Sequence, residues 1–286
     1  MTAAGDHPAL DILVDVPIVY DVDGGTTVHS PMVHAVVGGV PTRLILDTGS
    51  TDHVLTKELI DRVGATMTPG EDGTDHAGAP VPSWFVGELQ IEIGGRPFTL
   101  RDTVAINGPP PFVGWGVGGF LSPQHLHPRA RVLIDLLHDR LALVEPSGAD
   151  VDAALIARVP TLRPLVLDRV AGDGTVDVRA AIEPFPVVAT MLNTGGRQTE
   201  FAASVIPGER GTVEGQGTGL SGTRVAGADV GPRTLRVGDA RIPIPRLVVR
   251  DAMEDPPGLI GTDVLRGTAL IVSADVERGV VWLVPR

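Results

Sequence analysis

Two short stretches carry the residues that could do chemistry. In "LILDTGSTDHVL" (44–55) an apolar run ends in Asp47-Thr48-Gly49-Ser50, and in "ATMLNTGGRQTEF" (189–201) another ends in Asn193-Thr194-Gly195-Gly196. An apolar strand running into Asp-Thr-Gly sets a carboxylate on a tight turn. Gly49 permits close backbone approach and an unusual φ, and the Thr48 hydroxyl is free to bond a partner loop. Two such loops facing each other across a pseudo-twofold axis bring their first side chains together. With two carboxylates, one proton is shared, because neighbouring like charges cannot both ionise. One group then deprotonates water while the other polarises a carbonyl. Here Asn193 is an amide, which donates a hydrogen bond but has no proton to give or take. Asp47 must therefore move protons in both directions, and each such step is typically worth about 10²–10⁴-fold in rate. Without a like-charged neighbour, Asp47 is predicted to be ionised at neutral pH, a lone base beside an amide donor.

The elements that would position these residues are mostly strands. "VHAVVGGVPTRLILDTG", "GELQIEIGGRPFTLRDTVAI", "RVLIDLLHDRLALVEP", "TLRVGDARIPIPRLVVRD" and "ALIVSADVERGVVWLVP" are β-rich runs punctuated by Gly, Pro and Asp turns. Helical periodicity is confined to short pieces: "TKELIDRVG" (56–64), with Thr56 as N-cap and Gly64 as stop, and "DVDAALIARV" (150–159). The halves repeat in order. Leu44 to Gly49 matches Thr190 to Gly195, Val86-Gly87…Ile93-Gly94-Gly95 matches Val230-Gly231…Val237-Gly238-Asp239, and "GGFLSPQHL" (118–126) matches "PGLIGTDVL" (257–265). Each half then closes with a hairpin ending in Pro146 or Pro285. Such a repeat implies duplicated lobes. The expected architecture is all-β and two-lobed: an N-terminal extension (1–24), an N-terminal lobe (25–148), a linker (149–163) and a C-terminal lobe (164–286). A single long β-sandwich is the alternative.

Composition narrows the partners. The chain has 286 residues and a formal net charge of −12. An acidic surface argues against nucleic acid, which needs a cationic face. No apolar run has the length of a spanning helix, so no membrane partner is expected. "MTAAGDHPALDILVDVP" (1–17) has neither the basic n-region nor the apolar h-region of a signal peptide, and residues 1–24 are too short for a folded pro-domain. With no cysteine there is no disulfide, thiolate nucleophile or Cys–metal site. A cytoplasmic monomer without organic cofactor or metal is the expectation.

On the strength of Asp47-Thr48-Gly49-Ser50, the degenerate Asn193-Thr194-Gly195-Gly196, Leu259-Ile260-Gly261 before a short helix, and its counterpart Gly119-Phe120-Leu121-Ser122, the sequence resembles the aspartic protease family. The resemblance, over roughly residues 25–286, is to the two-lobed pepsin-like form with retropepsin-like lobes. It implies that Asp47 is the catalytic aspartate, with Asn193 where the second aspartate belongs. Thr48 and Thr194 would be a cross-lobe hydrogen-bonded pair, Gly49 and Gly195 would support the loops, and Ser50 would be a partner of the Asp47 carboxylate. The substrate-covering flap would be "GTDHAGAPV" (73–81), with "GQGTGLSGTR" (215–224) opposite. His76, Ala77 and Gly78, and Ser221 and Gly222, are then the flap residues placed to meet substrate. Neither flap carries a tyrosine; the single one is Tyr20.

Three functions remain open at this level. One is a peptidase acting on a peptide or peptide-like substrate between the lobes, with Asp47 as general base and Asn193 as donor. A second is a lone-base enzyme of epimerase or cyclase type, and a third is an inactive module that grips an extended peptide by strand pairing. Asn193 as an introduced, disarming residue is compatible with each. Other candidates have plainer readings. His53 reads as packing under the loop, His125-Leu126-His127 lacks further ligands for a metal, and Asp52 reads as backbone-bonded. "GERGTVEGQGTGLSG" (208–222) lacks the ending of a phosphate loop.

Overall fold

In a computed structural model of the chain, the described residues are 11–75, 78–145, 150–170, 174–208 and 212–286, the last without 214–216, 219, 222–223, 226, 252 and 254. The alternating and apolar runs form strands almost throughout, and they group into three large sheets.

A six-stranded sheet joins the halves in the order Asp11–Pro17, Arg140–Glu145, Arg131–Asp135, Ala269–Val272, Val280–Pro285 and Leu162–Leu167. At its centre Arg131–Asp135 pairs antiparallel with Ala269–Val272, so three strands from each half share one hydrogen-bonded ladder. One edge, Asp11–Pro17, lies in the segment read in sequence as extension, and the other, Leu162–Leu167, straddles the boundary read between linker and C-terminal lobe. "DILVDVP" pairs with Arg140–Glu145, with a register shift between Ile12 and Val14, and buries Val14 in the core. Leu162–Leu167 pairs with Val280–Pro285 in the equivalent place. Below this sheet, α3 (Val151–Ile156), capped by Asp150, packs Val151 and Leu155 into a small apolar cluster. Its Asp152 takes a two-pronged ion pair from Arg131, which is 1% exposed.

Each lobe is built on the same four strands. In the first, Val40–Leu46 runs parallel to Val117–Leu121, which is antiparallel to His53–Thr56, itself parallel to Thr103–Ile106. In the second, Val188–Leu192, Gly258–Ile260, Glu200–Ala202 and Val248–Arg250 repeat that order and those senses. Both sets are flanked on one side by a hairpin, Leu89–Ile93 with Arg96–Leu100 and Arg233–Val237 with Ala240–Ile244. On the other side lie Ser83–Val86 with Met67–Pro69, and Ala228–Asp229 with Thr212–Val213. The fold is therefore all-β, two-lobed and internally duplicated. Leu44, Leu46, Leu55 and Leu121, and Leu192, Phe201 and Ile260, are all fully buried and anchor the two motifs.

Gly119 shows why the crossing needs a glycine. Its φ is +140°, and a Cβ there would overlap Val54 O and sit 2.7 Å from Leu55 Cα. Helix α1 (Lys57–Val63) begins at Thr56, whose hydroxyl accepts from Leu59 N–H, and ends at the left-handed Gly64. Helix α2 (Pro110–Trp115), which the Pro-rich sequence did not suggest, stacks Phe112 against Phe120 at 5.5 Å.

Candidate functional site

The Asp47 and Asn193 loops leave equivalent strands in equivalent ways. Leu46 pairs with Leu121 and Leu192 with Ile260. One residue on, Asp47 N–H donates to Leu121 C=O and Asn193 N–H to Ile260 C=O, both at 2.9 Å. Asn193 is thus the geometric counterpart of Asp47.

The next residue of each loop locks the lobes together. Thr48 N–H donates to Thr194 Oγ1 and Thr194 N–H to Thr48 Oγ1, both at 3.1 Å. Each hydroxyl passes its own proton to the opposite strand: Thr194 Oγ1 donates to Leu46 C=O at 2.6 Å, and Thr48 Oγ1 to Leu192 C=O. Both threonines are fully buried. Neither Gly49 nor Gly195 has a positive φ, so the conformational freedom expected of Gly49 is not what the site uses. Space is. A Cβ on Gly195 would lie 2.6 Å from Asp47 Oδ2, and one on Gly49 would lie 2.8 Å from Asn193 Nδ2. Each lobe's chemistry-bearing side chain rests on the other lobe's glycine.

Asp47 is half-buried. Burial pushes its pKa up to about 6, opposed by the N–H groups of Gly49 and Gly195, which stabilise the anion. The Gly49 bond to Oδ1 is 2.9 Å. Desolvation alone raises the value here, with no like charge involved, and the carboxylate is still mostly ionised at pH 7. Asn193 Oδ1 accepts Gly196 N–H at 2.7 Å, which fixes the amide orientation and turns Nδ2 toward Gly49. The centre therefore pairs a moderately basic carboxylate with a neutral amide donor.

Ser50 does not partner the Asp47 carboxylate. Its N–H turns back to Asp47 C=O at 3.3 Å, and that turn aims Oγ at Asp52 C=O, 2.7 Å away. The Asp52 carboxylate takes the Thr51 hydroxyl at 2.8 Å rather than a backbone group. His53, 2% exposed, lies behind the loop and accepts Ser122 N–H on Nδ1 at 3.3 Å. Burial pushes its pKa down to about 4, aided by His125, so it stays neutral. Its counterpart Thr199 does the same task, accepting Gly261 N–H at 3.1 Å.

Two supporting residues were not visible in the sequence. Gln124, fully buried, donates from Nε2 toward the carbonyls of Thr48 (3.4 Å), Ser50 (3.2 Å) and, across the lobes, Gly174 (3.2 Å). Ser30 Oγ donates to Gly195 C=O at 2.9 Å, so a first-lobe strand steadies the second-lobe loop. The repeat held a signal for the first: Gln124 aligns with Asp263, whose carboxylate takes Thr199 N–H at 3.0 Å and Oγ1 at 2.6 Å.

The two predicted flaps are hairpins, Gly73–Thr74 with Pro80–Val81 and Gly217–Thr218 with Arg224–Val225. His76, Ala77 and Gly222 lie outside the described residues. Gly78 has φ +72° in the first turn and donates to Asp75 C=O at 2.8 Å. Ser221 reaches the other flap, donating to Asp75 Oδ2 from N–H at 2.9 Å and from Oγ at 2.7 Å.

Residues 33–118, the part of the first lobe that holds the Asp47 loop, match a family model described as aspartyl protease. No curated protein matches the chain. Among solved structures, EIAV protease complexed with the inhibitor HBY-793 is similar at 21% identity over 32% of this chain and 81% of that one, with a TM-score of 0.26.

Proposed function

We propose that this chain is an aspartic-protease-like hydrolase that acts on a peptide or peptide-like substrate between its lobes, with Asp47 as general base and Asn193 in the place of a second acid. The observation that carries the reading is the crossed threonine pair, which holds one partly desolvated carboxylate and one oriented amide donor on opposing glycines. Asp47 takes a proton from water as the oxygen attacks the substrate carbonyl, and Asn193 Nδ2–H donates to the developing oxyanion. The proton held on Asp47 then passes to the leaving nitrogen as the C–N bond breaks. One group performs both transfers, so turnover is slow beside a two-acid site. A single chain supplies both loops, which supports a monomer as the working unit.

The test is a peptide library incubated from about pH 3 to 8, with products read by mass spectrometry, beside Asp47→Ala and Asn193→Asp. Cleavage is expected to rise through an apparent pKa of about 6 to a plateau and to vanish in Asp47→Ala. Asn193→Asp is expected to add an acid-range optimum, with two limbs from a shared proton. Products of unchanged mass but altered retention, lost in Asp47→Ala, replace hydrolysis with epimerisation or rearrangement. Binding without any product, surviving Asp47→Ala, replaces it with a peptide-binding module.

A further inference from the structure

The two floor loops differ in charge beyond Asp47 and Asn193. The offset of 146 that relates Thr48 to Thr194 holds through the strands that follow, where Val54 pairs with Phe120 as Glu200 pairs with Leu259. It sets Arg197 in the place of Thr51. In the preceding strands Met32 pairs with Ile45 as Asp177 pairs with Met191, so His29 stands in the place of Gly174. Beyond Leu121 and Ile260, Arg266 stands in the place of His127. His29, Arg197 and Arg266 are all exposed. Ser30, beside His29, bonds Gly195 C=O, and Arg197 C=O accepts Asp263 N–H at 2.9 Å in the helix Thr262–Leu265 that Arg266 follows. In the first lobe a Cβ on Gly174 would lie 3.7 Å from Thr51 C=O, which by equivalence sets His29 against Arg197. Partial burial, then the charges of Arg197 and Arg266, hold the His29 pKa down. Arg266 rests on the Tyr20 ring, 4.4 Å from its centroid. Arg197 has no such anchor. Asp263, which feels its charge, is already bonded by Thr199 N–H and Oγ1, and among the described residues none bonds its guanidinium. In the first loop Thr51 instead donates to Asp52 at 2.8 Å. One loop is therefore flanked by cations and the other by a carboxylate, on a chain of net charge −12.

Gly195 abuts the Asp47 carboxylate, and Arg197 lies two residues further, at most about 7 Å on. We propose that Arg197, backed by His29 and Arg266, receives a substrate carboxylate, an acidic side chain or a peptide C-terminus, about two residues from the bond attacked at Asp47. The planar guanidinium matches a carboxylate in two-pronged fashion, and an exposed pair of this kind is worth up to about fivefold in affinity. That the carboxylate belongs to a peptide rests on the proposed function; the carboxylate-binding cluster does not.

The test reads binding before cleavage. With isotope-labelled histidine, the His29 Cε1–H resonance, assigned by its loss in His29→Gln, is followed by NMR during titration with two probes. N-acetylglutamic acid α-amide offers a side-chain carboxylate and N-acetyl-dialanine a terminal one; neutral N-acetylglutamine amide is the control. Both carboxylates are expected to give a saturable shift and to raise the His29 pKa, because a bound anion offsets the two arginines. The tighter of the two names the source of the carboxylate. Arg197→Gln is expected to weaken binding by about fivefold and Arg197→Lys to retain most of it. No saturable shift, an equal shift with the neutral amide, or binding indifferent to Arg197→Gln overturns the cluster. In the peptide library, cut peptides should carry Asp, Glu or a free C-terminus at one fixed distance from the cut, and Arg197→Glu should turn that preference toward Lys and Arg. Cleavage without such a preference overturns the specificity role. Carboxylate binding beside His29 without any cleavage supports the cluster and counts against the hydrolytic reading alone.

Discussion

Asp47 binds its proton more tightly in the folded chain than an ordinary aspartate does, and that has a sign. Its pKa rises from 3.8 to about 6, so its contribution to stability is complete below about pH 4 and is lost as pH climbs through 6. At one pKa unit per 1.36 kcal/mol, the loss amounts to at most about 3 kcal/mol at neutral pH. Asp47→Asn should therefore be more stable than the parent at pH 7 by about 1–3 kcal/mol in urea denaturation, with the advantage gone at pH 4. Equal stability at both pH values would show a well-solvated carboxylate. Asp47, Asn193 and the threonines were legible because the strand–Asx–Thr–Gly pattern occurs twice. Ser50 was misread because the direction of its hydroxyl is set by the turn to Asp47 C=O, which residue type does not encode. Ser30 was invisible for another reason: its partner Gly195 lies 165 residues away and offers only a backbone carbonyl.

At the scale of elements, the crossed threonine bonds and the four-strand motifs depend on each other. Removing either hydroxyl leaves a buried N–H of the opposite loop without its acceptor, a defect worth about 1–3 kcal/mol. Thr48→Val and Thr194→Val should each cost that much, and the double variant less than their sum, because both act on one network. Urea denaturation of the four proteins in the cycle measures this; strict additivity would mean the two bonds work independently. Helix α1 was readable from Thr56 and Gly64, whose capping chemistry is local. Helix α2 was not, because "PPPFVGW" has the composition of a turn and is held as a helix by Phe112 packing on Phe120. Strand Asp11–Pro17 escaped for a similar reason. Its apolar Ile12-Leu13-Val14 run was present in the sequence, but its partner Arg140–Glu145 is remote.

The whole molecule is joined more extensively than its two cleft loops suggest. The central sheet takes three strands from each half, and Arg131 in its middle is pinned by Asp152 of α3. Cutting the chain between residues 149 and 150 and expressing the pieces together should give a one-to-one complex by size exclusion with light scattering. Either piece alone should fail to yield a folded monomer, because its half of the sheet ends in the unpaired Arg131–Asp135 or Ala269–Val272. Two stable, separate monomers would mean the lobes are independent domains. The duplication was legible in the sequence; the shared sheet was not, since nothing in "RVLID" or "ALIV" names its neighbour. That sheet also has a mechanical consequence. Because the lobes are stitched along a continuous backbone spine, they cannot swing apart like the covers of a book without tearing strand from strand. Compliance is left to the hairpin tips, so the molecule should breathe at its rim while its base stays stiff.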